Sequence, residues 1–141
     1  MLDKEFISEK FKNISEYLSE TEEVLKVDDA MIARDFRLLR TLERNFQLIV
    51  DELVDVNVYL IRELELKTAD DFQNTFRILA EANILPSDLA ERMAPVVGLR
   101  NMLVHRYEKI NKNLFVRQVR NEYSDFIQYL TCVNDYLTSN Q

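Results

Sequence analysis

The sequence is poor in the residues that interrupt or cross-link a chain. Its 141 residues include one glycine, two prolines, one cysteine and no tryptophan. Because glycine and proline concentrate in turns, their scarcity predicts few turns and long helices. Cys132 has no second cysteine to pair with, which excludes an intramolecular disulfide and favours a reducing, cytoplasmic location. A chain of this length can bury one core, so we expect a single domain over residues 1–141.

The sequence also lacks the signatures of several functional classes. No charge-free run approaches the roughly 20 apolar residues that cross a bilayer, and the first residues lack the basic-then-apolar order of a signal peptide. There is one histidine and no second cysteine, so we expect no metal site. The sequence has no glycine-rich phosphate loop and no nucleophile elbow, and we expect no cofactor and no membrane partner.

Charge is distributed unevenly along the chain. The net charge of −7 argues against a protein that coats nucleic acid through charge alone. Residues 92–120, however, carry seven basic side chains against one acid, a local charge of +6 that leaves −13 on the remainder. This basic segment suits a local phosphate site, with Arg106, Lys109, Lys112, Arg117 and Arg120 as candidate RNA contacts. The alternative is a solvated basic surface that faces acidic helices of the same or a partner chain.

Apolar residues recur at alternating spacings of three and four, which is typical of helices that each present one apolar face. The first such helix covers about residues 4–26 and the last about 113–138. Between them, strict alternation from Leu39 to Leu60 predicts a long second helix that starts just after Asp28 and suits bundle packing. We therefore predict an all-α, antiparallel bundle of about five helices.

The two remaining helices are predicted mainly from their ends. Thr68–Asp71 resembles a capping box, so a third helix is expected over about residues 69–82. Ser87 is expected to cap a fourth helix after Pro86. Pro95 falls inside that helix, where its missing N–H and its ring should kink or restart it.

Polar chemistry is concentrated in Arg100–Tyr107, which contains the only histidine of the chain. On an ideal helix, which turns by about 100° per residue, Asn101 and His105 lie within about 40° of each other. Arg100 lies about 140° from His105, so the two do not share a face. Either the arginine reaches round the helix, or a second subunit completes the site. Tyr107 is expected on an accessible turn, because the sequence predicts that the helix ends near Lys109–Asn113.

These residue types suit cleavage of RNA without a metal. Histidine transfers protons near neutral pH, and arginine binds phosphate oxygens with a planar fork of donors. Asparagine can donate a hydrogen bond to an oxyanion or hold the histidine ring in place. His105 would move the proton of the ribose 2′-hydroxyl or of the leaving oxygen, while Arg100 stabilises the phosphorane charge and Asn101 assists. The alternatives are structural. His105 could be a helix-end residue bonded to a carbonyl or an acid, and Arg100 and Asn101 could belong to an ordinary surface face. Tyr107 could be a core or interface aromatic.

The same residues resemble the HepT-like branch of the HEPN superfamily, whose signature is arginine, four residues, histidine, one residue, tyrosine. Arg100, His105 and Tyr107 match this spacing, and Asn101 matches the polar residue that follows the arginine. The resemblance extends upstream through Phe76–Ala82 and over roughly residues 30–130. It implies a HEPN-like helical fold, a homodimer, and a ribonuclease toxin whose two motifs converge in a cleft between subunits.

The resemblance also implies a partner and a form of control. Similar proteins are commonly paired with an MntA-like nucleotidyltransferase antitoxin that transfers AMP to the motif tyrosine, here Tyr107. Two other hypotheses remain open at this point. The chain could be a non-catalytic helical subunit that partners a nucleotidyltransferase, or a structural dimerisation protein whose motif lines an interface.

Overall fold

The part of the chain that the structure describes folds into six α-helices. The computed structural model describes residues 2–139, so Met1, Asn140 and Gln141 of the expected domain lie outside the described residues. The helices are α1 (Lys4–Val24), α2 (Asp29–Arg34), α3 (Phe36–Glu63), α4 (Phe72–Glu81), α5 (Ser87–His105) and α6 (Lys112–Ser139), and a 3₁₀ turn, Tyr107–Lys109, separates α5 from α6. Within residues 2–139 there is no strand, which confirms the all-α prediction. None of these helices has the length and apolar composition to span a bilayer.

Helix α3 is the central element of the bundle. Near the start of α1, Phe6 stacks on Tyr59 with 4.5 Å between ring centroids, whereas further along α1 Glu20 accepts a 3.4 Å hydrogen bond from Asn45. Residues near the start of α1 thus contact the end of α3, and later residues of α1 contact earlier residues of α3, so the two helices are antiparallel. Helix α5 packs on another side of α3, and α4 packs along α5. The antiparallel bundle that the apolar spacing predicts is confirmed.

The core is apolar at its centre and contains one buried polar network. Phe46 on α3 contacts Phe115 and Phe126 on α6, with ring centroids 5.5 Å and 6.2 Å apart. Beside them the Asn57 amide donates to Thr75 Oγ1 at 3.0 Å and accepts from the Tyr129 hydroxyl at 2.5 Å. Burial raises the pKa of Tyr129, which keeps this hydroxyl a donor. The network therefore links α3, α4 and α6 without leaving Asn57 unsatisfied.

The prediction of one long second helix is wrong in one respect, because the chain forms two helices that are separated at Asp35. This residue adopts an extended conformation with φ −96° and ψ 108°, which interrupts the helical hydrogen bonds. Its carboxylate accepts from the backbone N–H groups of Arg37 and Leu38 at 2.9 and 3.4 Å, and so caps α3. Helix α2 then packs on both α6 and α3. The count of about five helices becomes six for this reason.

Other helix ends differ in smaller ways from those predicted. The cap of α2 is Asp28, as expected, and its carboxylate accepts from Met31 N at 2.9 Å. Helix α4 starts at residue 72 rather than 69, because Asp71 is the cap and bonds Asn74 N at 2.8 Å. The cap of α5 is Pro86 and not Ser87. Pro95 does not restart α5, since buried residues on both sides of it hold the helix against its neighbours: Met93, Ala94, Val96 and Val97.

Candidate active site

The motif lies where α5 ends and the chain turns toward α6. Arg100 and Asn101 are inside the helix, and His105 is its last residue. Arg106 leaves the helical conformation with φ −140° and ψ 51°, and its backbone N–H donates to Met102 O at 2.8 Å. The helix thus ends earlier than the expected Lys109–Asn113, and Tyr107 begins a 3₁₀ turn.

Arg100 points from α5 toward α3. Its Nε donates a 2.7 Å hydrogen bond to Asp51 Oδ1, and its Nη1 donates a 3.3 Å bond to Asn101 Oδ1. Its side chain is about a quarter exposed, at 24%. A bond between charged partners of this length is stronger than a neutral one, so the direction of the guanidinium is well defined. The structure brings Arg100 and Asn101 together, and the arginine does not reach round the helix to His105.

A mixed cavity of about 740 Å³ adjoins this pair. Its charged lining residues are Lys10, Asp51, Asp55, Arg62 and Arg100. Apolar walls come from α1, α3, α4 and α5, through Phe6, Val54, Val58, Tyr59, Phe72 and Val97, and Asn101 completes the lining. A recess with apolar walls and a few convergent polar groups is the usual form of a ligand site. Arg100 and Asn101 therefore line a recess of this form.

His105 lies apart from this cavity. Its side chain is exposed at the C-terminal end of α5, and it is not among the cavity residues. Because α5 is continuous from Arg100 to His105, the angular separation of about 140° persists. No three His, Cys, Asp or Glu side chains within residues 2–139 are grouped so that they could hold a metal ion. Within one chain, His105 and Arg100 thus face different directions.

Tyr107 is held by two residues of α3 that the sequence did not single out. Its hydroxyl donates to Glu43 Oε2 at 2.7 Å and accepts from Arg40 Nη1 at 2.5 Å. The Arg40 guanidinium also lies over the tyrosine ring, 5.2 Å from the centroid, and bonds Glu43 Oε1 at 3.0 Å. We call Arg40, Glu43 and Tyr107 the tyrosine triad. Burial raises the pKa of Tyr107, and Glu43 raises it further against the opposing effect of Arg40.

A signal for Glu43 was present in the sequence, in its position beside the apolar seam of α3. The residues one place after Leu42, Ile49 and Val56 are Glu43, Val50 and Asn57, and all three are buried. Helices in globular proteins often bury such flanking positions together with the seam. A carboxylate at one of them must have a partner in the fold. Asp51 has no comparable signal, because its role depends on the facing helix.

The basic segment divides into exposed and engaged residues. Arg106, Lys109, Lys112 and Arg117 are exposed, and none forms an ion pair within the part of the chain that the structure describes. Arg120 by contrast bonds Asp29 Oδ1 at 2.8 Å and the backbone carbonyls of Leu25 and Val27 at 2.8 and 2.9 Å. It secures the connection between α1 and α2. Its role in RNA binding stays a prediction, as do those of the other four.

Comparison with known proteins identifies related sequences over most of the chain. The profile of a family described as ribonuclease HepT-like matches residues 14–133. The chain is 26% identical over 106 residues to the mRNA nuclease HepT of Shewanella oneidensis, covering 75% of this chain and 80% of that protein. It is 31% identical over 129 residues to the tRNA nuclease HepT of Aphanizomenon flos-aquae, covering 91% of this chain and 78% of that protein.

A solved structure with the same fold extends the comparison to nearly the whole chain. It contains the tri-AMPylated HEPN toxin of Shewanella oneidensis in complex with an MNT antitoxin, and superposes with a TM-score of 0.85 at 25% identity. The match covers 96% of this chain and 99% of that toxin. The fold, the match over residues 14–133 and the motif at the end of α5 agree. The chain belongs to the HepT-like ribonuclease family.

Proposed function

We propose that the protein is the toxin of a toxin–antitoxin pair, a metal-independent endoribonuclease whose motif residues Arg100, Asn101 and His105 cleave RNA. The observation that carries this proposal is the orientation of Arg100. Its guanidinium is fixed by Asp51 and faces the cavity, with Asn101 beside it. Such a fork of donors matches the geometry of a phosphodiester.

The chemistry follows from the residue types at the motif. The 2′-oxygen of the ribose attacks phosphorus, the bond from phosphorus to the 5′-oxygen of the next nucleotide breaks, and a proton moves from the first oxygen to the second. His105 is exposed and can carry this proton. Arg100 stabilises the negative charge that develops on the non-bridging oxygens of the phosphorane, so no metal is required for that step. Arg106, Lys109, Lys112 and Arg117 then hold neighbouring phosphates.

A homodimer would place the two functions of the motif in one site. On a single α5, Arg100 faces α3 and the cavity while His105 faces solvent. If two copies meet along α5, His105 of one chain can approach Arg100 of the other across the interface. Sedimentation at micromolar concentration should show a dimer, and a monomer that cleaves RNA would contradict a shared site.

Control of the toxin would act at Tyr107. A related toxin has been solved in its tri-AMPylated form with an MNT antitoxin, which supports an MntA-like nucleotidyltransferase as partner. Tyr107 as the AMP acceptor follows from the resemblance of the motif to that of the family. Each AMP brings a negatively charged phosphodiester to the turn between α5 and the exposed basic residues. That charge would repel an RNA phosphate from the same place.

The test is an RNA cleavage assay in the presence of EDTA. The wild type should cleave total RNA, and His105→Ala should reduce the rate by about 10²- to 10⁴-fold, the range for loss of an acid–base group. Lys67→Ala, which removes an exposed cation from the connection between α3 and α4, serves as the matched control. Equal rates for wild type and His105→Ala would overturn the catalytic proposal. They would favour the non-catalytic partner subunit instead.

A further inference from the structure

The two partners of the Tyr107 hydroxyl in the tyrosine triad differ in exposure, and this difference suits the proposed AMP transfer. The Glu43 side chain is 9% exposed and lies on the protein side of the Tyr107 hydroxyl, whereas the Arg40 side chain is 54% exposed. Both oxygens of Glu43 are engaged, Oε1 by Arg40 and Oε2 by the hydroxyl of Tyr107. A nucleotide that approaches from solvent therefore meets Arg40 first and finds the phenol already hydrogen-bonded to a carboxylate behind it.

We infer that Glu43 is the base that accepts the phenolic proton of Tyr107 during nucleotidyl transfer, and that Arg40 binds the phosphate that is transferred. This inference rests on the proposed function, in which Tyr107 is the acceptor. The phenolic oxygen forms a bond to the α-phosphorus of ATP while the bond from that phosphorus to the β-phosphate oxygen breaks. Pyrophosphate leaves, and the phenolic proton passes to Glu43 Oε2, 2.7 Å away. Distance and direction already suit this proton transfer.

A base is needed because the phenol does not ionise by itself at neutral pH. Burial and the neighbouring carboxylate raise the pKa of Tyr107 above its ordinary value. A protonated phenol is a weak nucleophile, and its proton must leave as the new bond to phosphorus forms. Glu43 is the only carboxylate within residues 2–139 that bonds this hydroxyl.

Arg40 suits the other half of the reaction. Its guanidinium reaches the Tyr107 hydroxyl at 2.5 Å and stays largely exposed, so its remaining donors can meet the oxygens of an incoming phosphate. After transfer, Tyr107 has lost its hydrogen-bond donor and carries a negative phosphodiester, which Glu43 repels once it has released the accepted proton to solvent. The modified side chain should then be held by Arg40 alone.

The experiment measures AMP incorporation into the full chain by its cognate MntA-like nucleotidyltransferase with ATP and Mg²⁺. Glu43→Gln keeps the size and the hydrogen-bond acceptor and removes the base. We expect its kcat to fall by about 100-fold, with little change in the KM for the toxin. Glu52→Gln, on the same helix as Glu43, removes the charge from a 3.2 Å ion pair with Lys10 of α1; it is the matched control and should keep the wild-type rate. Arg40→Gln should raise the KM for ATP.

The pH profile separates a base from a structural residue. The wild-type rate should be level between about pH 6.5 and 8.5, whereas the rate of Glu43→Gln should climb with pH as phenolate becomes available. An equal reduction at every pH, or a wild-type rate in Glu43→Gln, would overturn the inference while the proposed function stands. Glu43→Asp keeps a carboxylate on a shorter side chain, so it should recover part of the rate and a rate that is level with pH. This variant keeps the test valid if Glu43→Gln folds poorly. Failure of the wild type to take up AMP on Tyr107 would instead overturn the regulatory part of the proposed function.

Discussion

The Arg100 guanidinium donates a 2.7 Å hydrogen bond through Nε to the Asp51 carboxylate on the facing helix α3. Because the guanidinium is planar, fixing Nε also fixes the direction of the two terminal nitrogens. Nη1 bonds Asn101, which leaves further donors for a phosphate. Asp51 is thus a positioning residue for Arg100, and it belongs to α3 rather than to the motif.

Asp51→Asn should reduce RNA cleavage without removing the motif. The amide can still accept the bond from Nε but lacks the charge that holds it. We expect kcat/KM to fall by about tenfold, against about 100-fold for Arg100→Ala. Initial rates on a single-stranded RNA check this, with Asp135→Asn, an exposed residue of α6, as the control. A rate for Asp51→Asn equal to wild type would show that Arg100 needs no positioning from α3.

Arg117 and Arg120 should differ sharply, although they are one helical turn apart. Arg117→Ala removes an exposed cation and should lower the salt dependence of RNA binding, with the slope of log K against log salt smaller by about 0.7 for one phosphate contact. Arg120→Ala breaks the bonds to Asp29, Leu25 and Val27 and should lower the free energy of unfolding by about 1–2 kcal/mol. The salt slope is measured as RNA binding in a His105→Ala background, which should not cleave the RNA. The free energy of unfolding of Arg120→Ala is measured by urea denaturation. Identical salt slopes for Arg117→Ala and its parent would contradict the first.

Asn57→Ala should destabilise the fold strongly. The substitution leaves the buried Tyr129 hydroxyl without its 2.5 Å acceptor and removes the 3.0 Å donor to Thr75. We expect a loss of about 2–4 kcal/mol in the free energy of unfolding. Tyr129→Phe should cost less in the Asn57→Ala background than in the wild type, because the hydroxyl has then already lost its partner. Strict additivity in urea denaturation would argue against a coupled network.

Glu122→Gln should stabilise the protein most at alkaline pH. Burial, and then the charge and hydrogen bond of Asp125, raise the pKa of Glu122 from 4.5 to about 7, and its Oε2 has no hydrogen-bond partner among the described residues. The folded state therefore holds this proton more tightly than the unfolded state, so the free energy of unfolding contributed by Glu122 falls as pH rises from about 4.5 to about 7.

The measurement is urea denaturation of both proteins between pH 5 and 8. The advantage of Glu122→Gln should be largest above about pH 7, where the buried carboxylate is charged, and should shrink toward about pH 5. Glu9→Gln on the exposed face of α1 is the control and should show no such trend. A difference between Glu122→Gln and wild type that is constant over the whole range would contradict this prediction.

Helix positions followed closely from the apolar spacing where that spacing is long and regular. Helix α1 ends at residue 24 against a predicted 26, and α6 spans 112–139 against a predicted 113–138. The break at Asp35 was missed because an aspartate is compatible with both a helix interior and a cap. Tertiary packing decides between them: α2 contacts both α6 and α3, and the extended backbone at Asp35 separates its direction from that of α3.

The motif was recognisable because its spacing is local, and the angle between Arg100 and His105 follows from helix geometry alone. The residues that orient the motif were not recognisable in the same way. Asp51 is 49 residues from Arg100, and Glu43 is 64 residues from Tyr107. Only for Glu43 did the sequence contain a signal, a carboxylate beside the apolar seam.

By itself, the sequence determined most of the helix positions, the family and the motif residues, because periodicity and short motifs are properties of neighbouring residues. The tertiary structure decided which of these residues meet. It directed Arg100 to Asp51 and Tyr107 to Glu43, and it turned Arg120 toward a carbonyl 95 residues away while Arg117 stayed exposed. The physical reason is that such contacts depend on how separate helices pack, and the rotation of one helix against another is set by the whole core.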